Sequence, residues 1–367
     1  MEGMQGYRLH AARLYSLATM AELPFVTIAM PCRDEEAYIE RCVRSVLAQD
    51  YPADRMEVLV ADGMSMDATR EILLRLVAED PRIRVVDNAA RIQAAGLNEC
   101  IRRARGEVIV RMDVHADYAP DYVRKCVEVL ERTGADNVGG AQRPAARTFF
   151  QRCVAAALAS PLGIGGASYR DPDREGFVDT VWSGAFRRRV FETVGLFDPA
   201  AITNEDAELN QRIIEEGGRV FLSRDIVAHY YPRESMRALA RQYFKYGQGR
   251  ARTLVKRRRL LGLRPVLPFL WLASEAVLVA TWPWQPLAPW SLGAYFLAAG
   301  AEAVRVGRRE GVAAIPVVWA IFPVLHVSHG AGFAAGLVKY LLHPDWEQTA
   351  ERVGAPPTTE AHATTAA

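Results

Sequence analysis

Asp113-Val-His115 lies in the stretch Gly106-Glu-Val-Ile-Val-Arg-Met-Asp-Val-His-Ala-Asp-Tyr118. Val108, Ile109 and Val110 form a short apolar run of strand-forming residues. It delivers a carboxylate and an imidazole, two positions apart, just as the strand should end. In open α/β sheets ligands sit in the crevice outside the carboxyl ends of the strands. A carboxylate and a neutral imidazole there suit a divalent cation, and a cation there suits a diphosphate. The competing reading is a turn in which Asp113 caps the next helix and His115 is merely solvated. An isolated Asp-x-His does not choose between the two.

Other acids recur at similar places. Pro31-Cys-Arg33-Asp-Glu35-Glu36 follows one apolar run, and Ala61-Asp62-Gly63-Met-Ser65-Met-Asp67 follows another. Asp62 is placed to accept a hydrogen bond from a base N–H, and Glu35 to reach a ribose hydroxyl or to order the first loop. Turn or helix-capping roles compete for each, most of all for Asp67. Thr203-Asn-Glu205-Asp206-Ala-Glu208 opens a helix with a Thr-x-x-Asp spacing close to a capping box. A carboxylate at a crevice mouth also suits a general base. Val181-Trp182-Ser183-Gly184-Ala185 offers a flat aromatic surface and a close backbone approach for a sugar ring, although Trp182 would serve equally well in a core. His229, alone in the apolar run Ile226–Tyr230, reads first as a structural histidine.

The elements that must position these residues alternate. Strands are expected over Phe25–Met30, Met56–Ala61, Ile83–Val86 and Glu107–Met112, with helices over Ala37–Ala48, Ala68–Ala78 and Ala94–Ala104. That alternation predicts an α/β fold with a mostly parallel sheet and helices on both faces. From about Asn137 to Tyr231 the pattern loosens. Helices near Arg187–Val194 and Glu205–Glu216, and strands near Val220 and Val227, are its clearest elements.

The 367 residues carry a formal net charge of +2, which argues against a general polyanion binder. The charge is uneven, because Arg241 to Arg264 contains nine Lys and Arg and no acid. Long apolar segments follow, so this basic run suits an anionic membrane surface rather than nucleic acid. Ser235–Thr253 is amphipathic, with Gly247 and Gly249 expected to interrupt it. Leu263–Trp284 and Leu287–Val306 are long enough to cross a bilayer. Val312–Leu342 exceeds one crossing, with Pro323, Gly330 and Gly332 able to bend or split it. The loop Thr281–Trp290 lacks Lys and Arg whereas Arg305–Glu310 has three Arg, so the first faces out and the second in. Glu275, His326 and His329 are costly in lipid and belong inside the bundle or near its surface.

The division expected is an N-terminal segment (1–24), a catalytic domain (25–232), a basic amphipathic interfacial segment (233–262), a transmembrane region of about three helices (263–342) and a disordered tail (343–367). Residues 1–24 lack the features of a signal peptide, and the catalytic half is expected in the cytoplasm. Five cysteines without C-x-x-C spacing read as reduced thiols.

Pro-x-Arg-x-Glu-Glu, Ala-Asp-Gly-x-Ser-x-Asp, Asp-x-His, Trp-Ser-Gly-Ala and Asn-Glu-Asp, in that order, resemble a family 2 inverting glycosyltransferase of the GT-A fold. The similarity is greatest to bacterial exopolysaccharide enzymes of the succinoglycan-biosynthesis type, and covers roughly residues 24–255. The resemblance implies that Pro31, Arg33, Glu35, Asp62 and Asp113 bind the nucleotide, and that Asp113 and His115 hold Mg²⁺ or Mn²⁺. It implies donor-sugar or acceptor contacts for Trp182, Ser183 and Gly184, and makes Asp206 the base, with Glu205 beside it. His115 stands where a second Asp is usual. By analogy with polypeptide N-acetylgalactosaminyltransferases, His229 becomes a third metal ligand. The Q-x-x-R-W motif of processive synthases is absent, Gln248-Gly-Arg250-Ala-Arg252-Thr253 being at best a relative of it.

The implied activity moves a sugar, UDP-linked in this class, onto a polyprenyl-diphosphate-linked saccharide at the inner face of a bacterial-type plasma membrane. Lipid and other polysaccharide-assembly proteins are the implied partners. Two alternatives stay open at this point: a polyprenyl-phosphate sugar synthase, and a catalytically silent nucleotide-sugar-binding scaffold of an export complex.

Overall fold

A computed structural model describes residues 23–201, 203–258 and 263–345. Most of the expected N-terminal segment, and the tail beyond 345, lie outside the described residues.

The first half alternates as its apolar runs require. Strands β1 (Val26–Cys32), β2 (Met56–Asp62), β3 (Ile83–Asp87) and β4 (Val108–Arg111) are joined through α1 (Ile39–Leu47), α2 (Thr69–Glu79) and α3 (Gln93–Arg103). Every residue of β1 and β2 is buried, as befits parallel strands covered on both faces. Val26, Ile28 and Met30 share one core with Ile39, Val43 and Leu73, whereas Ala29, Leu59 and Ala61 share the other with Leu97 and Cys100.

The second half is built from shorter pieces: β5 (Ala116–Tyr118), α4 (Tyr122–Thr133), β6 (Asn137–Gly140), β7 (Gln142–Pro144), α5 (Phe149–Ala159) and α6 (Pro161–Ile164). Then come β8 (Gly176–Phe177), β9 (Trp182–Arg187), α7 (Arg189–Thr193), α8 (Glu205–Glu215), β10 (Val220–Leu222) and β11 (Ala228–Tyr230). The main sheet runs β3-β2-β1-β4-β9-β6-β10-β8, and β5-β11-β7 form a smaller one. The direction of winding reverses between β1 and β4, which opens a crevice there. Strand β9 is antiparallel to both β4 and β6, with Val110 opposite Ala185. It therefore begins beside the carboxyl end of β4, and Trp182 arrives next to the Asp113 loop.

Four helices follow: α9 (Met236–Arg257), α10 (Leu267–Ala280), α11 (Ala288–Gly307) and α12 (Ala314–Leu342). Of the about three crossings expected, helix length and composition support one. Among the described residues only α12, 29 residues long, is both long and apolar enough to span a bilayer. With 14 residues α10 reaches roughly 21 Å, short of the roughly 30 Å of hydrocarbon. Pro283 and Pro286 lie in the turn after it, so the apolar stretch continues in composition but not as helix. Pro323 is accommodated within α12, which runs on as one helix.

Gly247 and Gly249 do not interrupt α9, which continues for 22 residues. A Cβ on Gly247 would lie 2.1 Å from the His329 carbonyl oxygen of α12, and one on Gly332 would lie 2.0 Å from that of Phe244. The backbone approach that these glycines permit offsets their helix penalty of about 1 kcal/mol each. Leu239 and Tyr243 share a buried cluster with Val318 and Phe322, so the apolar face of α9 packs on α12. Leu267, Leu270, Val277, Trp284, Trp290 and Leu297 leave a broad apolar surface exposed on α10, α11 and the turn between them.

Candidate active site

The carboxyl ends of the strands meet in a crevice of about 560 Å³. Parallel pairing sets Cys32 beside Asp62 and Asp62 beside Asp87, while Ala29 faces Arg111. The loops that follow are therefore level with one another. Pro31, Arg33, Glu35, Asp113, His115, Trp182, Glu205 and Asp206 all line the crevice.

The first two loops are laced together. The Asp34 N–H donates to Ser65 Oγ (2.9 Å), the Glu35 N–H to Thr69 Oγ1 (2.6 Å) and the Glu36 N–H to Asp67 Oδ2 (3.1 Å). Asp67 also accepts from the Thr69 N–H at 3.0 Å, the turn role that competed for it, while Ala68 is the N-cap of α2. Asp62 is buried beneath the crevice. One of its oxygens accepts from Ser65 Oγ at 2.6 Å, and the other pairs with Arg70 at 3.2 Å.

Arg111 is the hub of the site. Its side chain is 4 % exposed. Nε and Nη2 grip Asp113 at 2.9 and 3.0 Å, while Nη1 reaches Glu205 at 3.0 Å and Asp206 at 2.7 Å. Three carboxylates thus converge on one guanidinium, leaving surplus negative charge. Burial opposes the charge on Arg111, but Asp113, Asp206 and Glu205 hold its pKa well above the usual range. Burial pushes Asp206 up to about 7, with Glu205 and Asp113 adding to the rise and Arg111 opposing it. An acid poised there is suited to proton transfer near neutral pH.

Asp113 is further fixed by Tyr118, whose hydroxyl accepts its backbone N–H at 2.6 Å, and by Gln93 Nε2 at 3.3 Å. His115 Nε2 stands 2.7 Å from Glu35 Oε1, and this hydrogen bond raises the imidazole pKa. Asp113 and His115 supply an oxygen and a nitrogen beside the surplus negative charge, a donor set that fits a divalent cation. Among the described residues no group of three or more His, Cys, Asp or Glu is arranged to hold a metal. His229, on β11 opposite Asp117, is not among the crevice residues, so this structure does not gather it with Asp113 and His115.

The remaining expected residues divide. Trp182 borders the crevice, with its ring edge-on to Tyr230 at 6.2 Å. Ser183 and Gly184 lie buried below it. Ser183 adopts φ 47° and its carbonyl accepts the Tyr122 hydroxyl at 2.8 Å. A Cβ on Gly184 would meet Asn137 Oδ1 at 2.2 Å, so the close approach here is to Asn137. The capping box at Thr203 is not formed. Asn204, at φ 62°, is the N-cap and makes no side-chain cap bond. Instead Thr203 Oγ1 and Asn204 Nδ2 donate to the carbonyls of Lys245 and Tyr246 on α9, both at 3.1 Å.

Residues 27–195 match the model of the family described as glycosyl transferase family 2. The chain is 34 % identical to the succinoglycan biosynthesis protein ExoA of Rhizobium meliloti, over 85 % of this chain and 95 % of that one. It is 27 % identical to a dolichyl N-acetyl-α-D-glucosaminyl phosphate 3-β-D-2,3-diacetamido-2,3-dideoxy-β-D-glucuronosyltransferase of Methanococcus voltae, over 86 % and 98 % of the two chains. Among solved structures, the mannosyltransferase PcManGT of Pyrobaculum calidifontis, in complex with GDP-Man and Mn²⁺, shares the fold. Its TM-score is 0.60 at 22 % identity, with 87 % of this chain and 88 % of that one covered.

Proposed function

The chain belongs to glycosyltransferase family 2, and we propose that it transfers a sugar with inversion from a nucleotide donor, UDP-linked, to a polyprenyl-diphosphate-linked saccharide. The observation that carries this reading is the Arg111 hub, which sets the Asp206 carboxylate beside Asp113 in one crevice.

In the reaction Asp206 takes the proton of an acceptor hydroxyl as that oxygen attacks the anomeric carbon. The bond from that carbon to the nucleotide diphosphate breaks on the opposite face, so an α-linked donor gives a β-linked product. Arg111 keeps Asp206 and Asp113 in register, with Glu205 as the neighbour that helps hold the base near neutrality. Pro31, Arg33, Glu35 and Asp62 frame the nucleoside end, and Trp182 offers its ring to a sugar. Asp113 and His115 would hold Mg²⁺ or Mn²⁺, whose charge offsets that of the leaving diphosphate.

The relative from M. voltae is named for a dolichyl-phosphate-linked sugar acceptor, which supports a lipid-borne acceptor here. The chain would be anchored by α12 and the apolar surface of α10 and α11, with the catalytic domain on the cytoplasmic side. Incubating the purified protein with a panel of nucleotide sugars, with and without a prenyl-diphosphate-linked saccharide, tests this. Donor turnover that is lost in Asp206→Asn is expected. Turnover of no donor would overturn the reading.

A further inference from the structure

The crevice adjoins a second cavity, of about 380 Å³ and mainly apolar. Tyr169, Arg170, Asn204, Tyr246 and Arg250 border both, forming a neck between them. Beyond the neck the second cavity runs past Leu162 and Ile164 to Leu267, Trp271 and Leu325 of the apolar helices.

The neck is cationic and unmatched. Arg170 has its Nε and Nη1 buried without a hydrogen-bond partner, and its guanidinium sits 4.7 Å over the Tyr230 ring. Neither Arg170 nor Arg250 has a carboxylate within ion-pair distance among the described residues, whereas Arg264, on the same cavity, pairs with Asp179 at 3.2 Å. His329 adds a buried Nδ1 without a partner. Buried donors left unpaired cost the desolvation of each group, and a guanidinium more than a neutral one. An anion arriving between the two arginines would remove that cost. Guanidinium forks match phosphate oxygens. An apolar cavity leads away on one side, and the crevice with Asp206 opens on the other.

We propose that this neck binds the phosphate of a lipid acceptor, held by Arg170 and Arg250, with its hydrocarbon chain in the apolar cavity. The inference rests on the lipid-borne acceptor proposed above and makes it more specific. A phosphate-bearing lipid is selected over a neutral one, and its sugar end projects towards Asp206.

Binding to the full chain in detergent micelles tests this, with farnesyl diphosphate, farnesol, inorganic diphosphate and UDP as probes and no donor sugar present. Farnesyl diphosphate is expected to bind at least about tenfold more tightly than farnesol or inorganic diphosphate. Arg170→Gln with Arg250→Gln should remove that advantage over farnesol while the protein keeps its melting transition. Arg250→Lys should keep part of it, and Ile164→Trp should weaken both prenyl ligands. Equal binding of farnesyl diphosphate and farnesol would overturn the proposal, as would inorganic diphosphate binding as well as the prenyl form. UDP displacing farnesyl diphosphate, with the same loss in the arginine variants, would assign the arginines to the donor instead. No donor turnover enters these measurements, so failure here leaves the transfer reading standing, and failure of transfer leaves a positive binding result standing.

Discussion

The two ends of the site treat charge differently. At the strand ends the cations have partners: Arg111 holds three carboxylates and Arg70 bridges Asp62 and Asp87, while the exposed His115 meets Glu35. At the neck, Arg170 and Arg250 have none among the described residues, and Arg170 rests on an aromatic ring. A matched network keeps its geometry before any ligand arrives, which suits groups that must be in place for chemistry. An unmatched one is completed by what binds. The difference separates a part that is pre-organised from a part that recognises.

The largest expected effect breaks the matched end. Arg111→Met leaves Asp113, Glu205 and Asp206 facing one another without a cation, and should cost about 3–5 kcal/mol of stability in denaturant titration. Arg170→Met at the neck should cost far less, because it removes a buried charge that has no ionic partner. Equal losses would erase the distinction. Next comes Asp206→Asn, which should lower turnover on the order of 10²-fold or more while donor affinity changes a few-fold at most. If Glu205→Gln lost turnover and Asp206→Asn did not, the base would be Glu205.

His115→Ala should weaken Mn²⁺-dependent donor binding on the order of tenfold, and His115→Asp should restore part of it. His229→Ala should leave metal dependence intact, given where β11 puts that residue. Because Glu35 favours the imidazolium, metal-dependent binding should fade with acidification from above the usual histidine range. The smallest effect has the opposite sign. Asp206 is raised to about 7 in the fold by burial and its neighbours, so the folded protein holds this proton more tightly than the unfolded chain does. Its contribution to stability falls as pH rises from about 4 to 7. Asp206→Asn should accordingly be more stable than the parent at pH 8, by on the order of 1 kcal/mol or more, and no more stable at pH 4. A constant difference across that range would remove the buried ionisation from the account.

The strands that carry the crevice were legible because β1, β2 and β4 are apolar runs with no competing period, and their ends bear acids. Less legible were features set by distant partners. Arg111 reads as one more residue of a Val-Ile-Val-Arg strand. The available signal was that a guanidinium at a buried strand position must find carboxylates elsewhere. The start of α8 looks locally like a capping box, yet its Thr203 and Asn204 bond to α9, some forty residues on. The apolar stretch after Leu263 has the composition of a full span, but prolines near its end shorten the helix. Trp182 could be placed by its neighbours, whereas the burial of Ser183 and Gly184 depends on Asn137 and Tyr122 across the sheet.

Helix α9 touches two other parts of the chain through two glycines. Gly247 admits α12, while a Cβ on Gly249 would strike Thr203 Oγ1 at 2.6 Å and Asn204 Nδ2 at 2.7 Å, at the very start of the helix that bears Asp206. The proposed anchor and the proposed base are therefore fastened to the same rod. For protein engineering this means that the catalytic half is not a detachable module. Cutting away the last helix would strip α9 of its seat and loosen the start of the helix that bears Asp206. An engineered form would have to keep that seat, by changing only the outward faces of α10, α11 and α12 while leaving the glycine contacts untouched.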